Sequence, residues 1–313
     1  MEFQQIVNFN QLLAFYVVAR ERSFTRAGKN LAISQPAVTR RILEMEQAHN
    51  VKLLERTSRR VVLTEQGKLL LSYVERMVAL AEEAEVALKS MAGLKSGRIE
   101  IGTSRPVANV YLSTVAVSFK QRYPGVVPSI HVENSQWILD EVLGFRVDLG
   151  IISMKPRHPD LIVIPFLDEE LVVVLPPKHA WAKRKAIRLN ELDGQSLILR
   201  EKGSGTRELL DSAFNKAGVK PTIAMEVGSN EAIKRAVEGN IGVAFFPPSV
   251  VEAEINQGTL KALQISGVRL ALSFNVVYHR EKRSSPVIRA FMEVLKEQHP
   301  KLAHYKHPHA ERR

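Results

Sequence analysis

The chain of 313 residues contains no cysteine, which excludes disulfides, thiolate catalysis and cysteine-ligated zinc. Aromatic residues are sparse, at 6%. Trp137 and Trp181 read as core or cleft-rim residues and no role is assigned to them. No apolar run reaches the ~18 residues of a membrane span. Met1 to Gln11 lack the basic start and long apolar centre of a secretory signal, so a cytoplasmic location is expected. No GxxxxGK[ST] phosphate loop occurs. Gly203-Ser204-Gly205 is an incomplete dinucleotide fingerprint without a clear acidic partner. No nucleophile–base–orienter set and no metal-ligand spacing appear, so neither an enzyme nor a bound cofactor or metal is expected. His299, His304, His307 and His309 crowd the C-terminal end, where without a fold to fix them they read as a polar tail.

Acidic residues are the minority charge. The formal net charge is +11 and the isoelectric point about 9.8, which suits a polyanionic partner. Residues 1–66 hold ten Lys/Arg against six Asp/Glu, and residues 280–313 hold nine against four. Much of the basicity therefore belongs to the tail. The length exceeds one small core and suits two or three domains.

Thr25 to Thr64 is the most informative stretch. Phe24-Thr25-Arg26-Ala27 opens a short helix to about Leu31, and Ala32-Ile33-Ser34 is a tight connection. A second helix follows from Ser34-Gln35-Pro36, with Ser34 as N-cap and Pro36 in the first turn, where a missing N–H does no harm. Val38, Ile42 and Met45 place one face in a core. The opposite face carries Gln35, Thr39, Arg40 and Arg41, the short polar and basic surface that a helix in a major groove requires. Val51 to Thr64 reads as strand, basic turn and strand, with Arg56, Arg59 and Arg60 near phosphate reach. A helix pair of this kind also occurs in domains that bind no DNA, and arginines in a turn are often simply solvated. The adjacency of helix pair and basic wing is what favours duplex DNA.

These residues resemble the LysR-type transcriptional regulators. The match runs through Phe15, the segment Ser23 to Ile42 ("SFTRAGKNLAISQPAVTRRI") and Val61 to Gly67 ("VVLTEQG"), and continues along nearly the whole chain. Departures are Leu54 in place of the usual Phe, His49-Asn50 in place of Leu-Gly, and Gln66 in place of Ala. Asn50 tolerates the left-handed conformation that a helix C-terminus needs, so the turn is expected to survive.

Thr64 caps a long helix, about Glu65 to Ala92. Leu70, Val74, Met77, Ala81, Ala84, Leu88 and Met91 follow a 4,3 alternation, a heptad seam. Packing against its own domain is the competing reading, but a helix of this length between domains has little of its own chain to cover it. Pairing with a second copy is expected, and the resemblance implies an antiparallel dimer. Gly93 to Gly97 reads as a hinge linker.

From Arg98 strands and helices alternate, which implies α/β architecture with mostly parallel sheets. Two rounds fall either side of about Phe166. A last strand (270–279) and helix (286–298) are expected to return to the first round, leaving a cleft between two lobes. Strand-to-helix turns rich in hydroxyls surround that cleft: Thr103, Ser104 and Arg105; Asn134 and Ser135; Ser204, Gly205 and Thr206 followed by Arg207; Ser229 and Asn230. Each offers backbone N–H groups at a helix start, and Arg105 and Arg207 are expected to add charge for a small anion. Any one such turn is more simply a helix cap; their joint placement argues for a site. By resemblance, Ser104, Asn134, Ser135, Thr206 and Phe246-Pro247 match the family's effector pocket. The runs "REKGSGTRE" and "EVGSNEAIKRAVEGNIGVAFF" are similar to the branch of Calvin-cycle and cysteine-metabolism regulators, whose effectors are small organic or sulfur-containing anions or phosphorylated metabolites.

The expected fold is therefore α/β with an all-α winged helix-turn-helix N-terminal domain (1–64), a linker helix (65–95), a two-subdomain effector domain like periplasmic binding proteins (96–166 with 268–300, and 167–267) and a basic tail (301–313). The expected function is a transcription regulator with double-stranded DNA, a small anionic effector and a second copy of itself, as dimer or tetramer, for partners. A cytoplasmic solute-binding protein without DNA activity is the alternative.

Overall fold

The computed structural model describes residues 8–57, 60–90 and 96–299. Arg59, Met91, His304, His307 and His309 lie outside the described residues, as do most of the hinge glycine segment and the tail; the side chains of Arg56, Arg60 and Leu88 are likewise not described. The chain divides into two compact units at Leu88/Lys89.

In the first unit, α1 (Phe9–Glu21) is capped by Asn8 and buries Leu12, Phe15 and Val18. α2 (Phe24–Asn30) starts at Ser23, whose hydroxyl accepts from the Arg26 N–H. α3 (Gln35–His49) starts at Ser34, which accepts from the Ala37 N–H, and Pro36 occupies the first turn as its fixed φ favours. Val38, Ile42 and Met45 are buried as their spacing predicts. Asn50 closes α3 in the left-handed region at φ 48°, and His49 is exposed at the last helical position. β1 (Leu54–Thr57) and β2 (Arg60–Leu63) pair antiparallel as a wing, so this unit is not purely helical.

α4 (Glu65–Ser90) corrects the expected seam at Leu70 and Val74, while Met77, Ala81 and Ala84 of that seam are exposed. Val74 is buried in the core of this unit, and Leu70, Leu71 and Val78 pack on the same core. The competing reading thus holds for one face of the first turns. The exposed apolar face is Leu69, Tyr73, Met77 and Leu80. A heptad fit over 3.6-residue turns tolerates two neighbouring stripes, and only contact with α1–α3 decides which one is covered.

In the second unit, β3 (Gly97–Thr103) leads into a helical run made of α5 (Arg105–Val107), a π turn (Ala108–Leu112) and α6 (Ser113–Arg122). β4 (Val126–Val132), α7 (Ser135–Leu143), β5 (Leu149–Ile152) and β6 (Leu161–Glu170) follow. β7 (Val172–Leu175) begins the second lobe, with β8 (Ala186–Arg188), β9 (Ser196–Arg200), α8 (Gly205–Ala217), β10 (Thr222–Val227), α9 (Asn230–Glu238), β11 (Ala244–Phe246), α10 (Pro248–Gln257) and β12 (Lys261–Ser266). β13 (Ala271–His279) and α11 (Pro286–Gln298) return to the first lobe. The first sheet has the order β4-β3-β5-β13-β6. The second lobe holds β11-β7-β12-β8 and the pair β10-β9, linked by a bridge between Leu197 and Val243. The sheets are mixed rather than mostly parallel, because the returning β13 runs antiparallel to both β5 and β6, and β7 antiparallel to β11 and β12.

The chain crosses between lobes at Leu171 and again over 267–270, where β6 ends and β13 begins. Pro165 of β6 sits on an edge strand beside a register shift, where proline is tolerated. Phe119 stacks edge-on against Phe291 at 5.2 Å, fixing α11 on α6. Ile198, Ile233, Val237 and Phe246 form the core of the second lobe. No described helix is long and apolar enough to cross a membrane.

Candidate functional site

Two surfaces carry the candidate chemistry, one on each unit. On the first, burial of Val38 and Ile42 turns the other side of α3 outward. Gln35, Pro36, Arg40, Ser34 and Thr25 are exposed, and Thr39 and Arg41 are half-buried. The Gln35 amide donates to the Thr39 hydroxyl at 2.9 Å, which aligns the two side chains one turn apart. Arg40 donates from Nε to Glu44 at 2.7 Å, and that hydrogen bond holds the Glu44 carboxyl below its ordinary value. Both partners are exposed, so phosphate competes easily with this pair.

Glu46 is the residue that sequence reasoning missed here. It lies on the buried face of α3, four residues after Ile42, and is 5% exposed. Its Oε1 accepts from the backbone N–H groups of Leu53 at 2.8 Å and Leu54 at 3.2 Å. A carboxylate at a position of the apolar stripe was the available signal. It ties the start of the wing to α3.

The cleft between the lobes of the second unit is narrow, with a cavity volume of about 20 Å³. Ser104, Asn134, Ser135, Ser204, Thr206, Asn230, Phe246 and Pro247 line it, together with the unforeseen Pro106, Ser153, Arg200, Phe245, Leu272 and Phe274. Asn134 caps α7 by accepting from the Trp137 N–H, Ser204 caps α8 by accepting from the Arg207 N–H, and Ser229 caps α9 by accepting from the Ala232 N–H. The starts of three helices thus face one space, each with its positive dipole end. Ser104 differs: its hydroxyl is buried, caps nothing and has no hydrogen-bond partner. Ser135 and Ser153 bond to each other at 3.1 Å.

Several sequence-predicted residues lie elsewhere. Thr103 is fully buried behind the wall, its hydroxyl donating to the Ser104 carbonyl at 3.4 Å. Arg105 is exposed and does not line the cleft. Ser229 and Gly205 do not line the cleft either. Arg207, expected to add charge to the cleft, is 6% exposed and occupied by Asp211 at 2.9 Å, Glu226 at 2.6 Å and the Arg200 carbonyl at 2.9 Å. The cleft's charge comes instead from Arg200, the last residue of β9. The rule that ligands sit beyond strand C-termini was the signal for it; attention to the turns alone passed it over.

The lobes touch across the cleft. The Gln136 N–H donates to the Gly203 carbonyl at 3.1 Å. A Cβ on Gly205 would fall 1.8 Å from the Ser153 carbonyl oxygen, so the start of α8 meets the end of β5 at a distance only glycine allows. Tyr111 and Ser249, from opposite lobes, both donate to Glu169, at 3.0 and 2.7 Å. Burial and the Glu169 charge push Tyr111 up to about 12, so the bond is kept at any ordinary pH.

Residues 9–68 match the model of the bacterial regulatory helix-turn-helix protein, lysR family, and residues 92–300 match that of the LysR substrate binding domain. The RuBisCO operon transcriptional regulator of Allochromatium vinosum is 33% identical over 92% of this chain and 95% of its own length. A full-length structure of an OxyR point variant from Pseudomonas aeruginosa superposes with a TM-score of 0.73 at 21% identity, over 93% of this chain and 94% of that one, and shows the same fold. The CcmR regulatory domain of Synechocystis PCC6803, solved in complex with 2-PG, superposes at TM-score 0.61 and 29% identity over 65% of this chain and 98% of that one.

Proposed function

The chain belongs to the LysR family of DNA-binding transcription regulators with an effector-binding domain, and from that premise we propose that it reads a dyad-symmetric promoter site and responds to a small anion held between its two lobes. The single observation that carries the effector reading is the buried, unpartnered Ser104 hydroxyl on a cleft faced by three helix starts. A small oxyanion supplies the missing acceptor there. The related domain bound to 2-PG supports a ligand of this size and charge. Closure over the anion favours one angle between the lobes, and that preference is what shifts the DNA modules.

On the DNA side, Gln35, Pro36, Thr39 and Arg40 approach base edges, with Thr25 and Ser34 at the helix starts and Arg41, Arg56, Arg59 and Arg60 toward phosphates. The apolar stripe Leu69, Tyr73, Met77 and Leu80 on α4 supports pairing with a second copy. Apolar side chains exposed on the edge strands β4 (Val127, Ile130) and β10 (Ile223, Met225) support further contacts between effector domains, as a tetramer requires. We read the cleft as a sensor, in keeping with relatives that are transcription regulators. The place of work is the cytoplasm, where the promoter is.

The test is a gel shift against the DNA upstream of the gene. Binding is expected to fall steeply with salt, and Arg40→Ala to weaken it about tenfold. Unchanged affinity for Arg40→Ala at physiological salt removes this face of α3 from the interface.

A further inference from the structure

The charge that the cleft offers an anion comes from one side chain, and that side chain is already taken. Arg200 is the only residue with a formal charge among the described residues lining the cleft. Its side chain is 15% exposed. Its Nε donates to Glu201 Oε2 at 2.7 Å and its Nη2 to Glu201 Oε1 at 2.8 Å, a two-point fork. Its Nη1 donates to Asn230 Oδ1 at 3.0 Å. Three of the five guanidinium N–H groups are thus occupied, two of them by a carboxylate from the next residue in the chain. Arg207 cannot take over this role, being held by Asp211 and Glu226.

We propose that Glu201 is a resident carboxylate that holds Arg200 in the empty cleft and gives up the guanidinium to the effector's own oxyanion. The proposal deepens the cleft reading above and rests on it. Burying an unpaired guanidinium is costly, so an empty cleft needs an internal partner for Arg200. A carboxylate or phosphate presents two oxygens spaced for the same fork and replaces Glu201 like for like. A spherical halide offers one contact point, and a neutral isostere offers no charge, so neither repays the lost pair. Glu201 is 25% exposed and needs only to turn outward to water. Asn230, at the first turn of α9, keeps Arg200 in place during the exchange. The ligand class is therefore a small compound with a carboxylate or phosphate head; the unpartnered Ser104 hydroxyl in the same cleft is a separate sign that a polar ligand belongs there. Glu201 sets the threshold: weak anions do not displace it.

Calorimetry on the full chain at constant ionic strength tests this with inorganic phosphate and 2-PG as probes. Glu201→Gln removes the competing charge and keeps the side chain's shape. It is expected to bind both anions about tenfold tighter than the unmodified protein, as removal of a like charge within a few ångströms implies. Arg200→Gln is expected to lose that gain in the double variant. Equal or weaker binding by Glu201→Gln, or uptake of neither anion, overturns the proposal and leaves Glu201 as a positioning residue for Arg200. Thr206→Val separates the two claims. If it weakens anion binding while Glu201→Gln changes nothing, the cleft reading stands and the resident carboxylate falls; if none of the three substitutions matters, both fall.

Discussion

Replacing Glu46 by alanine should unfasten the wing from α3. The carboxylate accepts from two amides, Leu53 N–H at 2.8 Å and Leu54 N–H at 3.2 Å, in residues only 2% and 6% exposed. Water cannot replace the acceptor without opening the core. A buried donor left without a partner costs about 1–3 kcal/mol, and hydrogen bonds to a charged acceptor lie at the upper end. Two such amides give about 4 kcal/mol; relief of the buried carboxylate's own desolvation brings the net to roughly 3 kcal/mol. The contact with Lys52 at 3.4 Å adds almost nothing, since that side chain is 75% exposed. Glu46→Gln keeps one carbonyl oxygen against the two amides and loses only the charge, so about 1 kcal/mol is expected. Denaturant melting of the N-terminal unit gives the energies, and hydrogen exchange at the Leu53 and Leu54 amides locates them. DNA affinity should fall with the wing's order. A loss under about 1 kcal/mol for the alanine variant, or unchanged exchange at both amides, would refute the bracing argument.

Two further outcomes follow from the second unit. Gly205→Ala places a Cβ where the Ser153 carbonyl oxygen stands 1.8 Å away, so α8 must retreat by more than an ångström; the variant should close poorly and bind anions at least tenfold more weakly, and unchanged affinity by calorimetry would mean that the lobes do not meet there in solution. His299 is held below its ordinary pKa of 6.5 by burial against Tyr111 and Phe166, at ring distances of 5.6 and 5.2 Å. Its neutral form is the folded one, so this contribution to stability is full above pH 6.5 and falls as the pH drops toward the lowered value, because the unfolded chain takes up the proton first. Thermal melting should show a steeper loss as the pH falls below 6.5 for the unmodified protein than for His299→Phe, and parallel curves would contradict the shift.

Local chemistry accounts for much of what can be read without coordinates. Ser34, Pro36 and Asn50 delimit α3 because caps and proline act on the backbone within one turn. The 3,4 spacing of Val38, Ile42 and Met45 determines which face is buried, and so which side chains remain for DNA. Hydroxyls and asparagines at strand-to-helix turns locate the cleft, because each acts on the helix that follows it: Asn134 on α7, Ser204 on α8. The family itself is legible in the same short motifs.

Long-range packing decided the remainder. Only contact with α1–α3 shows that Val74 is covered while Leu69 and Tyr73 are not, since the two stripes of α4 are equally apolar along the chain. Arg105, Arg200 and Arg207 are alike as sequence, each beside a glycine- or serine-rich turn. Asp211 and Glu226 withdraw Arg207, solvent takes Arg105, and the end of β9 turns Arg200 toward the cleft. An arginine's availability depends on carboxylates that the fold brings within about 3 Å, from as far as Glu226 on another strand. Periodicity and caps are properties of neighbours in the chain; charge pairing and burial are properties of neighbours in space.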